Sequence, residues 1–198
     1  CLASNQITVN VHMEFAPVIT ASGPTELCQG GSVTLSAPAG YVSYLWSNGA
    51  TTQSILVTTN GTFNVTVTDA FGCTSLPSAN VSVTVHPMPA TPVIVANGPV
   101  NFCAGGSVTL TAPAGFASYL WSNGETTQSI LVSSSGVFSV TVSDLYGCTS
   151  MPSNAVTVTV NPYPATPVIT ANGPTTFCNG DQVLLTATAG FASYLWSN

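Results

Sequence analysis

A seven-residue stretch that recurs at a fixed spacing constrains the fold of this chain more than any other feature. Residues 43–49 read Ser-Tyr-Leu-Trp-Ser-Asn-Gly, the same seven return at 118–124, and the first six return at 193–198. The spacing is 75 residues both times, which indicates a tandem repeat. Between residues 103–162 and residues 28–87, 42 of 60 positions are identical, so both copies must adopt one fold.

Within each repeat the pattern predicts short β-strands separated by turns. Residues 62–68 alternate apolar and polar side chains, with Phe63, Val65 and Val67 on one face. The strand that carries Trp46 ends in Asn48-Gly49, a strong signal for a tight hairpin. About six such strands without helical periodicity indicate a small β-sandwich. The predicted fold class is therefore all-β, with tandem sandwich domains of about 75 residues joined by proline-rich linkers.

The repeat spacing also predicts the domain boundaries. Residues 1–13 match the last strand of a repeat, 16–88 and 91–163 are complete repeats, and 166–198 is the N-terminal part of a third. We therefore expect the chain to be a window from a longer array. Residues 86–92 and 161–167 each hold three prolines in seven residues, which favours a stiff, extended linker.

The composition excludes several classes of partner. The chain has no Lys and no Arg, and only 3 % of its residues are charged. Nucleic-acid binding and docking on anionic lipid both depend on those cations, so neither is expected. The wholly apolar runs are far shorter than the ~20 residues of a spanning helix, so membrane insertion is not expected.

Six regularly spaced cysteines indicate an oxidising compartment. Cys28 and Cys73 are 45 residues apart, as are Cys103 and Cys148. If one strand lies between the Trp46 strand and the Phe63 strand, both cysteines of a repeat lie at the same end of the sandwich. With two intervening strands they lie at opposite ends, about 20 Å apart and beyond bridging.

The short distance between the Asn48-Gly49 turn and the Asn60-Gly61 turn favours one strand. We therefore predict the intradomain disulfides Cys28–Cys73 and Cys103–Cys148, each adding roughly 3–4 kcal/mol of stability. Cys1 and Cys178 align with the second and the first cysteine of a repeat, respectively, so we expect their partners outside these 198 residues.

Three segments together resemble a known family. Cys-x-Gly-Gly-Ser-Val-x-Leu, Tyr-x-Trp-Ser-Asn-Gly and Gly-x-Phe-x-Val-x-Val-x-Asp-x-x-Gly-Cys are similar to the PKD-like and Ig-like repeats of large Bacteroidota surface proteins, including the SprB-type gliding adhesins exported by type IX secretion. The resemblance implies an Ig/PKD-like sandwich and a secreted bacterial protein whose repeats act as spacers, stalks or adhesins. The acidic Gly-Asp-Gly turn of PKD domains is Asn48-Gly49-Ala50 here, which weakens any calcium role carried over from the family.

The inventory of reactive side chains predicts no catalytic residue, no metal site and no cofactor. Among six carboxylates only Asp69 and Asp144 recur at one repeat position, before a turn. An Asp in that place commonly accepts hydrogen bonds from its own turn, and a calcium ligand is the lesser alternative.

The recurring aromatic residues fall into two sets. Carbohydrate stacking is an alternative for the tryptophans, but one Trp on this strand is typical of a sandwich core, which makes them predicted core anchors: Trp46, Trp121 and Trp196. The aromatic residues near the preceding turn are better candidates for exposure and ligand contact: Tyr41, Phe116 and Phe191.

Two functional hypotheses follow. The first is a structural, non-enzymatic segment of a long extracellular bacterial surface fibre, filament or adhesin stalk, whose partners are copies of itself or neighbouring repeats. The second is a carbohydrate-binding or ancillary repeat module of a secreted type IX substrate enzyme, with surface polysaccharide or another substratum as its ligand. Both place the chain outside the cell.

Overall fold

The structure is a computed structural model and describes residues 15–197. Every regular element in this range is a β-strand, as the all-β prediction requires. No helix in the described range has the length and apolar character that a membrane span demands. The strand predicted within residues 1–13 lies outside the described residues.

The first repeat folds into eight short strands between residues 16 and 88. In chain order they are β1 Thr20–Ala21, β2 Glu26–Cys28, β3 Val33–Ser36, β4 Ser43–Trp46, β5 Ser54–Val57, β6 Gly61–Phe63, β7 Val65–Thr68 and β8 Val81–His86. The sequence pattern does not predict β2, because its three residues show no clear alternation.

These strands form two layers. One sheet has the order β1-β3-β5, and all its pairs are antiparallel. In the other layer β8 lies between β2, to which it is parallel, and β6, to which it is antiparallel. The chain continues from β6 through Asn64 into β7, which pairs antiparallel with β4. The layers enclose a core that includes Val33, Leu35 and Val65.

The second repeat reproduces this arrangement between residues 91 and 163. Its strands are β9 Val95–Ala96, β10 Asn101–Cys103, β11 Val108–Thr111, β12 Ser118–Trp121, β13 Ser129–Val132, β14 Gly136–Phe138, β15 Val140–Ser143 and β16 Val156–Asn161. Their pairings match those of the first repeat. The domain boundaries themselves stay predictions, and we refer to the two folded repeats as unit one and unit two.

In residues 166–197 the structure describes two strands, β17 Ile169–Ala171 and β18 Leu185–Ala187. They pair antiparallel with Ala171 opposite Leu185. Adding 75 to the Ala96–Leu110 pair of unit two gives this register, so the third repeat begins in the same way as the second.

The recurring tryptophans of the two complete units lie in the cores, as predicted. Trp46 and Trp121 are each 1 % exposed. A buried indole N–H needs an acceptor, and each donates a hydrogen bond of 2.8 Å to a backbone carbonyl, of Thr52 and Thr127 respectively. Trp196, the third predicted core anchor, is instead 42 % exposed, and only the strands β17 and β18 are described in its repeat.

The turn after the Trp46 strand does not make the predicted hairpin between sequential strands. Gly49 has φ 85°, which only glycine adopts readily, and its amide donates to the Trp46 carbonyl. The turn returns Ala50 beside Trp46, whose amide donates to the Ala50 carbonyl. The chain then crosses to the other sheet, where β5 pairs with β3 rather than with β4.

Candidate functional site

The lower end of unit one, which we define as the end where β8 finishes and the linker leaves, carries a cysteine beside a histidine. Because β2 is parallel to β8, Cys28 is the register partner of His86. The next residue, Gln29, donates its amide to the His86 carbonyl at 2.8 Å. The His86 Nε2 also hydrogen-bonds to Glu26 Oε2, which fixes the orientation of the ring. This end therefore places the Cys28 sulfur next to an imidazole ring.

The upper end of unit two, where β15 finishes, carries a compact loop from Asp144 to Cys148. One oxygen of Asp144 accepts hydrogen bonds from the amides of Tyr146 and Cys148, both at 2.9 Å. Asp69 does the same for Phe71 and Cys73 in unit one. The predicted turn-capping role of Asp69 and Asp144 therefore agrees with the structure. In unit two this cap fixes both the cysteine and the tyrosine.

These two ends meet, and a disulfide joins them. Cys28 of unit one is bonded to Cys148 of unit two across 120 residues of sequence, with their Cα atoms 5.4 Å apart. Beside the bond, the ring of His86 stacks on Tyr146 with centroids 3.6 Å apart and planes 11° from parallel. We call this set of four residues the junction. It couples successive units covalently and through one aromatic contact.

The predicted disulfides Cys28–Cys73 and Cys103–Cys148 are therefore corrected. Cys73 and Cys103 are free and exposed, while Cys148 is fully buried. The fold explains why a bond within one unit cannot form. β6 and β7 run antiparallel to β8, so Cys73 follows a path that leads away from the end where Cys28 pairs with His86.

The distance along that path is decisive. Residues 61–68 form a nearly continuous extended run, and at about 3.3 Å per residue it spans roughly 25 Å. A disulfide needs Cα atoms within about 7 Å. The alternative with opposite ends is the one that the fold adopts, because the short return through Ala50 and Thr52 acts as a second intervening segment before β5.

The aromatic residues predicted to be exposed are half-buried instead. Tyr41 packs against the core of unit one and stacks on Phe15 at 5.7 Å between centroids. Phe116 and Phe191 each make an edge contact with the tyrosine three residues later, as Tyr41 also does. Of the three, Tyr41 is the ring that packs against a buried core.

The structure brings no cluster of metal ligands together in the range that it describes. Within residues 15–197, no three His, Cys, Asp or Glu side chains converge as metal ligands would. The carboxylates of Glu125 and Asp144 instead serve their own turns, with Glu125 accepting from the Asn123 side chain. The arrangement offers a covalent bond and a stacking contact between units.

Replacing Asp144 with alanine is expected to destabilise unit two by about 1–2 kcal/mol, because two loop amides lose a charged acceptor. Thermal unfolding measures this, and Asp144→Asn should retain most of the stability since it keeps an oxygen at the same place. The calcium alternative makes a different prediction. It would be supported if added Ca²⁺ raised the melting temperature of the parent chain and not that of Asp144→Ala.

Sequence reasoning missed the pairing of the junction cysteines and the contact of His86 with Tyr146. The signal was present in the recurrence itself. Each repeat carries a cysteine near its start and another near its end, and the sequence alone allows pairing within a repeat or between neighbours. Only the strand directions decide between these two pairings.

No family model matches the chain, and no curated protein matches it. Among solved structures it is similar to fibronectin(III)-like modules of CbhA from Clostridium thermocellum, at 16 % identity and a TM-score of 0.42, with 73 % of this chain and 94 % of that one covered. It is also similar to a chain from the crystal structure of a mouse coronavirus receptor-binding domain complexed with its murine receptor, at 14 % identity and a TM-score of 0.44, with 72 % of this chain and 99 % of that one covered. A third likeness is to the human OSCAR ligand-binding domain (14 %, 0.33, covering 74 % and 100 %).

Proposed function

We propose that this chain is a structural, non-enzymatic repeat segment of a long extracellular bacterial surface fibre, filament or adhesin stalk. The observation that carries the proposal is the disulfide between Cys28 and Cys148, which joins successive units and not two parts of one unit. A module that acts alone gains nothing from a covalent bond to its neighbour. A load-bearing or projecting array gains a fixed relation between successive units.

The composition and the linker support the same role. A disulfide persists in oxidising surroundings, which favours a place outside the cell. Residues 86–92 contain three prolines, so the peptide link next to the junction is itself stiff. The two links between units reinforce each other, since the proline-rich segment limits the orientations that the disulfide must fix.

The resemblance of the repeats to Bacteroidota surface proteins adds finer detail to this proposal. It favours export by type IX secretion, display at the cell surface, and roles in adhesion or gliding. The partners proposed on this basis are neighbouring repeats and copies of the same protein, with surface polysaccharide or substratum as a contact of the whole fibre. No cofactor is part of the proposal.

Imaging of native surface material tests the structural role. Antibodies raised against the two complete units should label continuous, thin filaments along their length in electron micrographs. Labelling confined to isolated, flexible molecules, or to an enzyme with a catalytic domain and no fibre, would contradict the proposal. Reduction before imaging serves as a control for the contribution of the junction.

The alternative, a carbohydrate-binding or ancillary module of a secreted enzyme, predicts a different result on a glycan array. We expect the disulfide-bonded chain to bind no glycan reproducibly, because its recurring tryptophans in the complete units are 1 % exposed and offer no stacking face. Reproducible binding that is lost in Tyr41→Ala and Phe116→Ala would favour the alternative. Leu56→Ala is a suitable control variant, since Leu56 is 67 % exposed and lies away from those rings on β5.

A further inference from the structure

We propose that Cys103 and the lower end of unit two form the docking surface for the repeat that follows in the same chain, through a disulfide to the cysteine of that repeat that is equivalent to Cys148. At every junction, the first cysteine of one repeat would then form a disulfide with the second cysteine of the next repeat. This goes beyond the proposed function, and it rests on it only in treating the repeats as one continuous array.

The lower end of unit two repeats the geometry of the lower end of unit one. β10 is parallel to β16, and Cys103 is the register partner of Asn161, as Cys28 is of His86. Ala104 donates its amide to the Asn161 carbonyl at 2.8 Å, the same length as the bond from Gln29 to His86. The thiol of Cys103 is therefore held where the thiol of Cys28 is held, and it is free and exposed.

The path into the next repeat is also the same. Residues 162–167 read Pro-Tyr-Pro-Ala-Thr-Pro where residues 87–92 read Pro-Met-Pro-Ala-Thr-Pro, so the linkers have equal length and equal proline positions. Beyond the linker, β17 and β18 pair in the register of β9 and β11. The third repeat thus starts at the same chain distance from Cys103 as unit two starts from Cys28, and its fold begins in the same way.

The side chain beside the thiol changes in a compatible way. Asn161 stands at the position of His86, and its Nδ2 donates to Asn101 Oδ1 at 2.6 Å, as the His86 ring bonds to Glu26. A planar amide therefore stands where the planar imidazole of His86 stacks on Tyr146. We therefore expect the second junction to keep its disulfide and to have a weaker stacking contact.

A disulfide between the two cysteines of one repeat does not compete with this bond. In unit one and in unit two the strand directions place the two cysteines at opposite ends. Cys178 starts the third repeat, so the same topology would place it away from the second cysteine of that repeat.

Formation of the proposed bond removes two protons and two electrons from the two thiols. A disulfide such as oxidised glutathione accepts both protons and both electrons and becomes two thiols.

Lengthening the full chain provides the test. Residues 124–162 of its own second repeat are appended after Asn198, which completes the third repeat in register and supplies a copy of Cys148. The protein is refolded in a glutathione redox buffer, the remaining thiols are alkylated, and peptic peptides are mapped by mass spectrometry without reduction. Pepsin is required because the chain has no Lys or Arg for trypsin.

We expect Cys103 to be alkylated in the original chain and to lose its label in the lengthened chain, where its peptide appears linked to the added copy of Cys148. A lengthened chain whose added cysteine is replaced by serine should restore the label on Cys103. A bond between Cys178 and the added cysteine, or an unchanged label on Cys103 in a folded lengthened chain, would overturn the inference. Neither result depends on whether the array forms a surface fibre, so the two proposals fail separately.

Discussion

Replacing Trp121 with alanine is expected to lower the free energy of unfolding of unit two by about 3–5 kcal/mol, enough to unfold a domain of this size at moderate temperature. The indole is 1 % exposed and packs in the core beside Leu110 and Val140. Its removal leaves a cavity between two short-stranded sheets that have few other large side chains to fill it. The Thr127 carbonyl also loses the 2.8 Å hydrogen bond from the indole nitrogen.

Leu120→Ala is the matched control for this variant. Leu120 precedes Trp121 on β12, but it points to the opposite face and is 55 % exposed. Its truncation should cost less than about 1 kcal/mol, because little buried area is lost. Chemical denaturation followed by far-UV circular dichroism measures both variants, since unit two keeps no tryptophan in Trp121→Ala. An equal decrease in the free energy of unfolding for Leu120→Ala and Trp121→Ala would contradict the assignment of Trp121 as the core anchor.

Breaking the junction is the second change with a large expected effect. When one unit unfolds next to a folded neighbour, the Cys28–Cys148 bond closes a loop of roughly 60 residues, which corresponds to about 4 kcal/mol in the chain-entropy model. Cys28→Ser should therefore lower the melting temperature by about 15–30 °C, given the small unfolding entropy of a domain of about 75 residues. Scanning calorimetry of the oxidised chain and of the variant measures the shift.

Cys103→Ser is the control, because Cys103 occupies the same repeat position as Cys28 and its thiol is free. It should leave the melting temperature nearly unchanged, and reduction of the parent chain should reproduce the effect of Cys28→Ser. A large drop in the melting temperature of Cys103→Ser, with none in Cys28→Ser, would contradict this assignment. That result would mean that Cys148 is bonded within its own unit.

The sequence is sufficient to predict those features that each repeat determines for itself. The alternation of residues 62–68 predicts β6 and β7, and the single Trp in an apolar strand predicts the core position of Trp46 and Trp121. The Asp before a turn predicts the cap of Asp69 and Asp144. These features follow from local patterns because burial and turn chemistry act on neighbouring residues.

The junction could not be predicted in the same way, because it depends on the direction of strands and not on their existence. The Asn48-Gly49 turn is correctly located, yet the chain leaves it toward the other sheet, since Ala50 bonds back to Trp46 and β5 finds its partner in β3. That single choice of partner moves Cys73 to the end opposite Cys28. Sheet pairing is a long-range event, and a turn signal does not specify which strand the chain joins next.

The same choice of partner determines what tension can do to this molecule. A pull applied along the chain enters unit one ahead of Cys28, crosses the sulfur bridge, and leaves through β16 after Cys148. The 120-residue separation between the bonded cysteines therefore lies in a closed covalent ring off the direct path. That ring contains both tryptophan strands and the proline linker, and it cannot be drawn out while the bond is intact. At about 3.4 Å per residue, it holds back roughly 400 Å of extended chain that only reduction would release.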